Sequence, residues 1–332
     1  SVAAVESPFS AAYRHLNAHE DALALEKFQQ GFALQAGTPS QYADAAYAAK
    51  RLHQNQVAIA LLKQAVDANA ALPKAQQPFT EQQLFNYRSE SQMLNREWGA
   101  VAVLAYQNNA LTSASKLNTL QGSLEAYWQP SDFVANQDGH YLQIFTGINE
   151  TLYDAQGGTI GAPTAQATVG VRYKPFSKLG LVLVGQQLFA LGSVGKNDTL
   201  LHAAYSGGEG TGLNVRDESW QTWQYYGDLA YLVTQKRTIA AFEASYGQTF
   251  RLSEQNSRIT YTPHWALAAD SDSAATQVVA AGTGPGVRLR YWLREDTYNA
   301  PASFLDFNLQ YRYSLTNSNR SRGVLMRAIY WY

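Results

Sequence analysis

Two periodicities divide the hydrophobic positions of this chain. Over residues 1–97 the apolar side chains recur at the spacing of a helix face, for example at Ala58, Leu61, Leu62 and Ala65. Over residues 98–332 apolar and polar side chains alternate, which is the period of a strand with two different faces. The pattern therefore predicts a helical segment over residues 1–97, followed by a mainly β domain over residues 98–332.

The helical segment carries an internal repeat. An offset of 34 residues aligns Tyr13 with Tyr47, Ala24 with Ala58 and Phe28 with Leu62. This is the period of tetratricopeptide repeats, in which each unit is a pair of helices. We expect α-helical tetratricopeptide-like repeats, with further repeats preceding them, because stacked repeats bury their faces on one another. Generic helical hairpins are the alternative.

The alternating segments number about twelve. They cover residues 98–108, 119–129, 141–152, 164–174, 180–191, 199–207, 219–233, 237–252, 257–270, 278–294, 303–315 and 323–332. Every segment has an apolar face, and no helical pattern remains to cover these faces, so lipid is the simpler cover. We predict a transmembrane antiparallel β-barrel of about 12 strands in the outer membrane. An even count brings both ends to one side, which places the helical repeats in the periplasm.

Composition narrows the class of function. Charged residues make up 15% and aromatic residues 12% of the chain, a balance that suits the interfaces of a membrane barrel. The 25 basic and 26 acidic side chains nearly cancel, so the chain lacks the basic surface of a nucleic-acid-binding protein. The absence of cysteine excludes disulfides, thiol catalysis and Cys-ligated metals. We expect no metal, no cofactor and no nucleic-acid partner.

The polar faces of the strands predict the lining of the barrel lumen. The predicted lining consists of Glu125, Arg172, Asp228, Glu243, Arg251, Arg288, Arg290, Arg294, Asp306, Asn308, Gln310, Arg312 and Arg327. One interpretation is a polar passage for sugar hydroxyls, with aromatic faces at Trp220, Tyr226 and Trp292. The other is a set of ion pairs that fill and stiffen the barrel. The strand number leaves both interpretations open. About eight strands enclose an interior filled by side chains, about sixteen strands enclose an aqueous channel, and about twelve lies between these limits.

The last segment ends on an aromatic residue. Its alternate apolar positions are Val324, Met326, Ala328, Tyr330 and Tyr332. Such a row is similar to the insertion signal of outer-membrane barrels, which implies the barrel assembly machinery as a partner.

An enzyme of the outer-membrane phospholipase type is the rival class. Its nucleophile needs a base within hydrogen-bond reach, and His264 with Ser245 or Ser257 is the best combination that the barrel offers. The chain has no nucleophile-elbow motif, so we expect a protein that is not an enzyme.

Two further motifs have ordinary explanations. The cluster of Gly282, Gly284, Pro285 and Gly286 lacks the Gly-Lys-Ser/Thr ending of a phosphate loop and indicates a kink or turn of the barrel. Asp270 and Asp272 lack the glutamate of a calcium loop and indicate a solvated outer connection.

Six segments together resemble the C-terminal barrel domain of the phage-adsorption outer-membrane protein A (NfrA) family. They are 122–130 (GSLEAYWQP), 167–176 (ATVGVRYKPF), 219–231 (SWQTWQYYGDLAY), 284–301 (GPGVRLRYWLREDTYNAP), 303–313 (SFLDFNLQYRY) and 322–332 (RGVLMRAIYWY). The resemblance spans about residues 96–332, and repeats before such a barrel are similar to that family's layout.

The resemblance implies a function that the periodicity does not. It implies an outer-membrane, porin-like barrel that works with an inner-membrane glycosyltransferase in exopolysaccharide secretion. It also implies a receptor for bacteriophage, contacted by a phage tail protein. A closed structural or docking barrel without transport is the alternative. The resemblance marks no catalytic residues.

Overall fold

The computed structural model describes residues 5–106, 118–255 and 257–332. The chain forms two compact units. One contains the residues up to Arg96 together with Arg294–Ala302, and the other contains Glu97–Leu293 and Ser303–Tyr332. The α-helices belong to the first unit and the strands to the second.

The helical unit is built from short helices, of which the first, third and fifth are capped by side chains. The helices are α1 (Pro8–Asn17), α2 (Asp21–Leu34), α3 (Pro39–Arg51), α4 (Asn55–Ala70) and α5 (Glu81–Leu94). The side chains of Ser7, Thr38 and Thr80 cap α1, α3 and α5, each accepting a hydrogen bond from the backbone N–H three residues later. Each cap satisfies a donor that the first helical turn leaves free. No helix in the described ranges has the length and apolarity to cross a membrane.

The two helical hairpins share one turn geometry. His19 and His53, which follow α1 and α3, adopt left-handed φ values of 60° and 59°. The residue after each histidine donates to the carbonyl five positions earlier, from Glu20 to His15 and from Gln54 to Ala49, at 2.9 Å in both turns. Ala24 and Ala58 are fully buried at equivalent positions beyond the turns. The 34-residue offset of the sequence is therefore present in the backbone.

The segment Arg294–Ala302 completes the helical unit. Arg88 of α5 forms an ion pair with Glu295 at 3.0 Å and donates to two backbone carbonyls of the segment. The Tyr298 hydroxyl donates to Asp67 Oδ1 of α4 at 2.8 Å, and this hydrogen bond raises the pKa of the phenol. Side-chain bonds thus fasten the segment to two helices.

In the described ranges of the chain, twelve strands form the second unit. They are β1 (Trp98–Tyr106), β2 (Thr119–Trp128), β3 (Tyr141–Asp154), β4 (Gln166–Lys174), β5 (Leu181–Ala190), β6 (Asp198–Glu209), β7 (Ser219–Leu232), β8 (Arg237–Arg251), β9 (Ile259–Asp272), β10 (Val279–Leu293), β11 (Ser303–Ser314) and β12 (Gly323–Trp331). Each strand pairs antiparallel with its sequence neighbours, and β1 pairs with β12 from Val101–Trp331 to Tyr106–Met326. The sheet is therefore a closed barrel without free edges.

The predicted barrel of about twelve antiparallel strands is confirmed. Every strand lies within a few residues of its predicted range, because alternation is a strong signal over nine or more residues. Residues 107 and 108, predicted to end the first strand, lie outside the described residues. Arg294, predicted at the end of the tenth strand, instead follows β10 with a left-handed φ of 64°.

Apolar side chains cover the outer face of the barrel. Val287, Leu309 and Met326 are neighbours on β10, β11 and β12 and are 43%, 48% and 47% exposed. The row at Val324, Met326, Ala328 and Tyr330 shares this outward face of β12. A continuous exposed apolar band on a closed barrel is the surface that contacts lipid in a membrane.

The glycine cluster lies within β10 and not in a turn. Gly286 pairs with Gln310 and His264 on the neighbouring strands. A Cβ atom at Gly286 would lie 2.6 Å from His264 Nε2 and 2.7 Å from Gln310 Cγ. The interior of the barrel is therefore packed closely enough at this point to require glycine.

The positions of Asp270 and Asp272 in the fold also differ from the predicted ones. The prediction of a solvated connection is wrong, because both residues belong to the end of β9. Asp270 is buried and accepts a hydrogen bond from Arg320 at 2.6 Å, while Asp272 accepts one from Arg237 at 2.9 Å. Both carboxylates are therefore hydrogen-bonded to arginine side chains.

Candidate functional site

The predicted lumen residues fall into two groups by position. Glu125, Arg172, Asp228, Glu243, Arg251, Arg288, Arg290, Asp306, Asn308, Gln310, Arg312 and Arg327 lie on strands, on the face opposite the exposed apolar band. Arg294 lies in the segment that belongs to the helical unit. Most of the strand residues form clusters of hydrogen bonds and ion pairs. Arg251 instead donates to the Val215 carbonyl at 3.4 Å, and Asn308 Oδ1 is buried without a hydrogen bond to the described residues.

The largest cluster is centred on Glu243 of β8. Its Oε2 accepts a hydrogen bond from Arg312 of β11 at 2.8 Å, and its Oε1 accepts one from Arg327 of β12 at 2.7 Å. Three strands separate β8 from β12 in the barrel. The Glu243–Arg327 pair therefore bridges the lumen instead of following the wall.

Gln310 and His264 extend this cluster. Gln310 is 1% exposed, and its Oε1 accepts a hydrogen bond from Arg312 Nε at 3.1 Å. His264 Nδ1 lies 3.0 Å from the Thr262 carbonyl, so Nδ1 carries the proton and Nε2 accepts from the Gln310 amide at 3.2 Å. Both ring nitrogens are engaged, which leaves His264 no free nitrogen to serve as a base toward Ser245.

Asp306 of β11 organises the second cluster. Arg290 donates to Asp306 Oδ2 through Nε at 2.9 Å and Nη2 at 2.5 Å, while Arg288 Nε lies 3.6 Å from the same oxygen. The Arg290 guanidinium also covers the Phe304 ring at 4.0 Å from its centroid. Gln224 of β7 turns its amide oxygen toward Arg288. This oxygen accepts hydrogen bonds from Arg288 Nη2 at 2.5 Å and from Arg288 Nη1 at 3.1 Å.

Two smaller groups line the opposite wall. Arg172 of β4 forms an ion pair with Glu125 of β2 and covers the Phe145 ring at 4.3 Å. On β6 and β7, His202 Nδ1 lies 2.8 Å from Asp228 Oδ2, which also accepts from the Tyr226 hydroxyl at 2.9 Å. Alternation along β6 places His202 on the inner face, so the same pattern that found Asp228 could have identified it.

The connection between β6 and β7 folds back into the lumen. Gly210 O accepts hydrogen bonds from Trp220 Nε1 at 2.8 Å and from Thr222 Oγ1 at 3.1 Å. Thr211 O accepts from Arg290 Nη1 of β10 at 3.1 Å. The indole N–H of Trp220 is therefore bonded within the protein, and Arg290 holds the connection to β10.

A cavity of about 810 Å³ remains among these clusters. Its lining includes Gln224, Tyr226, Glu243, Arg288, Arg312 and Arg327. Tyr226 is thus the predicted aromatic residue that lines this space. The cavity combines guanidinium, carboxylate, amide and phenol groups, which are the groups that bind polar ligands.

The chain matches the family described as bacteriophage N adsorption protein A C-term over residues 157–328, just over half of its length. The chain belongs to this family. The match runs from the connection after β3 into β12, and it contains Glu243, Arg288 and Arg327. The family resemblance in the sequence is confirmed, and membership together with the lipid-facing band identifies an outer-membrane β-barrel.

Solved structures include barrels similar to this one. An outer-membrane channel from Pseudomonas putida F1 is 12% identical over 71% of this chain and 95% of its own, with a TM-score of 0.37. The β domain of the Bordetella autotransporter BrkA is 12% identical over 71% of this chain and 97% of its own, with a TM-score of 0.37. No curated protein matches the chain.

Proposed function

We propose that this outer-membrane barrel is a bacteriophage receptor whose outer connections are contacted by a phage tail protein. The observation that carries the proposal is family membership, because the phage-adsorption match covers most of the barrel strands. Among the described residues, the connections that follow odd-numbered strands lie at the end of the barrel where β1 ends and β12 begins, and we assign this end to the cell exterior.

Adsorption of phage tests the receptor role. A strain that lacks this chain is expected to leave the phage free in the medium, and expression of the full chain from a plasmid is expected to restore adsorption. Free phage counted after a short incubation gives the measurement, and the empty plasmid is the control. Unchanged adsorption in the deletion strain contradicts the proposal.

A second role is export of an exopolysaccharide. The observation that favours it is the cavity of about 810 Å³, in which amide, phenol and charged groups can exchange hydrogen bonds with sugar hydroxyls. In this proposal the helical hairpins are tetratricopeptide-like, lie in the periplasm and recruit an inner-membrane glycosyltransferase. Their shared turn geometry at His19 and His53 supports a repeat that presents a binding surface.

Secreted polymer tests the export role separately. The deletion strain is expected to retain the polymer inside the envelope, because the outer membrane then lacks its portal. Polymer in the medium and in the cell fraction is quantified after matched growth, with the complemented strain as control. Full secretion without this chain refutes export and leaves the receptor proposal standing.

A closed docking barrel is the competing proposal. It is favoured by the Glu243–Arg327 bridge across the lumen and by the inward-folded connection after β6. Single-channel conductance of the purified full chain distinguishes the two, since an open portal conducts and a filled barrel does not. In either case we assign the outward row at Val324, Met326, Ala328, Tyr330 and Tyr332 to recognition by the barrel assembly machinery.

A further inference from the structure

We propose that the lumen cavity is a binding site for an anionic group of the carboxylate or phosphate class. Four guanidinium groups line it, from Arg288 and Arg290 on β10, Arg312 on β11 and Arg327 on β12. These three strands are adjacent in the barrel, so one wall of the cavity carries all four positive charges.

The carboxylates in reach do not balance this wall. Both oxygens of Glu243 accept from Arg312 and Arg327, and Asp306 accepts from Arg290. Asp270, the remaining carboxylate of the lining, is paired with Arg320 from the connection after β11. In the described part of the chain, four guanidinium groups therefore face two carboxylates, and an excess of positive charge in a partly enclosed space attracts anions.

Arg288 has the least complete set of partners. Its Nε is buried and makes no hydrogen bond to the described residues, because the nearest of their carboxylate oxygens, on Asp306, lies 3.6 Å away. Among the described residues, the hydrogen-bond partner of its terminal nitrogens is the neutral amide of Gln224. A buried donor without a partner is uncommon in proteins, and planar guanidinium groups match carboxylate and phosphate oxygens.

The cavity is large enough for an organic anion. Its volume of about 810 Å³ lies within the range of about 300–1,000 Å³ typical of small-molecule sites. The phenol of Tyr226 and the amide of Gln224 add hydrogen-bonding groups to the lining. An acidic sugar and a phosphate, either free or in a lipid headgroup, share the chemistry that this wall recognises.

Calorimetric titration of the purified full chain in detergent micelles tests the site. The probes are digalacturonate, inorganic phosphate and the neutral disaccharide cellobiose. We expect saturable binding of an anionic probe that weakens as salt is added, without binding of cellobiose. Arg288→Gln is expected to weaken anion binding about tenfold or more, since it removes charge-assisted hydrogen bonds.

Arg172→Gln is the matched control, because Arg172 is a lumen arginine that pairs with Glu125 away from the cavity lining. Heat-dependent mobility on a gel verifies that each variant is folded. Binding of digalacturonate alone supports an acidic sugar, and binding of phosphate with equal affinity supports a phosphate group. Failure of both anions to bind, equal binding of cellobiose, or equal losses in the two variants overturns the proposal. The titration needs no transport, so its outcome is independent of the export role.

Discussion

Glu243→Gln is expected to lower the free energy of unfolding of the barrel by about 2–3 kcal/mol. The substitution leaves Arg312 and Arg327 without the carboxylate that both contact, and their side chains are only 5% and 18% exposed. Removal of one partner from a fully buried pair costs about 3–5 kcal/mol. The Glu243 side chain is 23% exposed, so water in the cavity screens part of this loss.

Unfolding in urea from lipid vesicles, followed by tryptophan fluorescence, measures the effect. Glu209→Gln is the matched control, because Glu209 is an exposed carboxylate at the end of β6. We expect this control to lie within about 0.5 kcal/mol of the wild type. Equal stability of Glu243→Gln and the control would show that the bridge across the lumen contributes nothing.

A second substitution shows whether the loss of stability in Glu243→Gln arises from unpaired charge or from a packing defect. If the Glu243 effect arises from unpaired guanidinium groups, Arg327→Gln added to Glu243→Gln removes one of them and restores part of the lost stability. A packing defect instead predicts that the two losses add, since each variant then removes its own contacts. The double variant therefore tests the electrostatic origin of the bridge.

The faces of the barrel were predictable from sequence because a strand has a period of two. Asp306, Asn308, Gln310 and Arg312 alternate with large apolar residues, and one register places all four inside. The same rule identified Glu243 on β8 and Arg327 on β12. Strand number followed from counting such segments. Pairing of consecutive antiparallel strands needs no long-range signal, whereas closure pairs β1 with β12 from the two ends of the barrel sequence.

Contacts across the lumen were not predictable in this way. The distance between Glu243 and Arg327 depends on the curvature and stagger of the closed sheet, which no local pattern encodes. The inward fold of the connection after β6 depends on Trp220 and Arg290 meeting Gly210 O and Thr211 O. The sequence pattern predicts Arg294 on the tenth strand because the alternation of polar and apolar residues continues through it. In the structure the left-handed backbone of Arg294 ends β10.

Leu309→Arg is expected to destabilise the barrel in a membrane by about 2–4 kcal/mol. Leu309 lies in the middle of β11, is 48% exposed and pairs with Val287 and Met326 on either side. A guanidinium group at this position must enter the hydrocarbon region without a carboxylate partner. The loss is measured as a lower free energy of unfolding in lipid vesicles.

Leu315→Arg provides the control at the edge of the same face. Leu315 follows the last residue of β11 and is 59% exposed, so we assign it to the interface, where arginine costs only about 0–1 kcal/mol. A large difference in the free energy of unfolding between the two variants would show that lipid, and not protein, covers the apolar band. Equal costs at the two positions would mean that the band does not span the membrane core, and the assignment of inner and outer faces would then have to be revised.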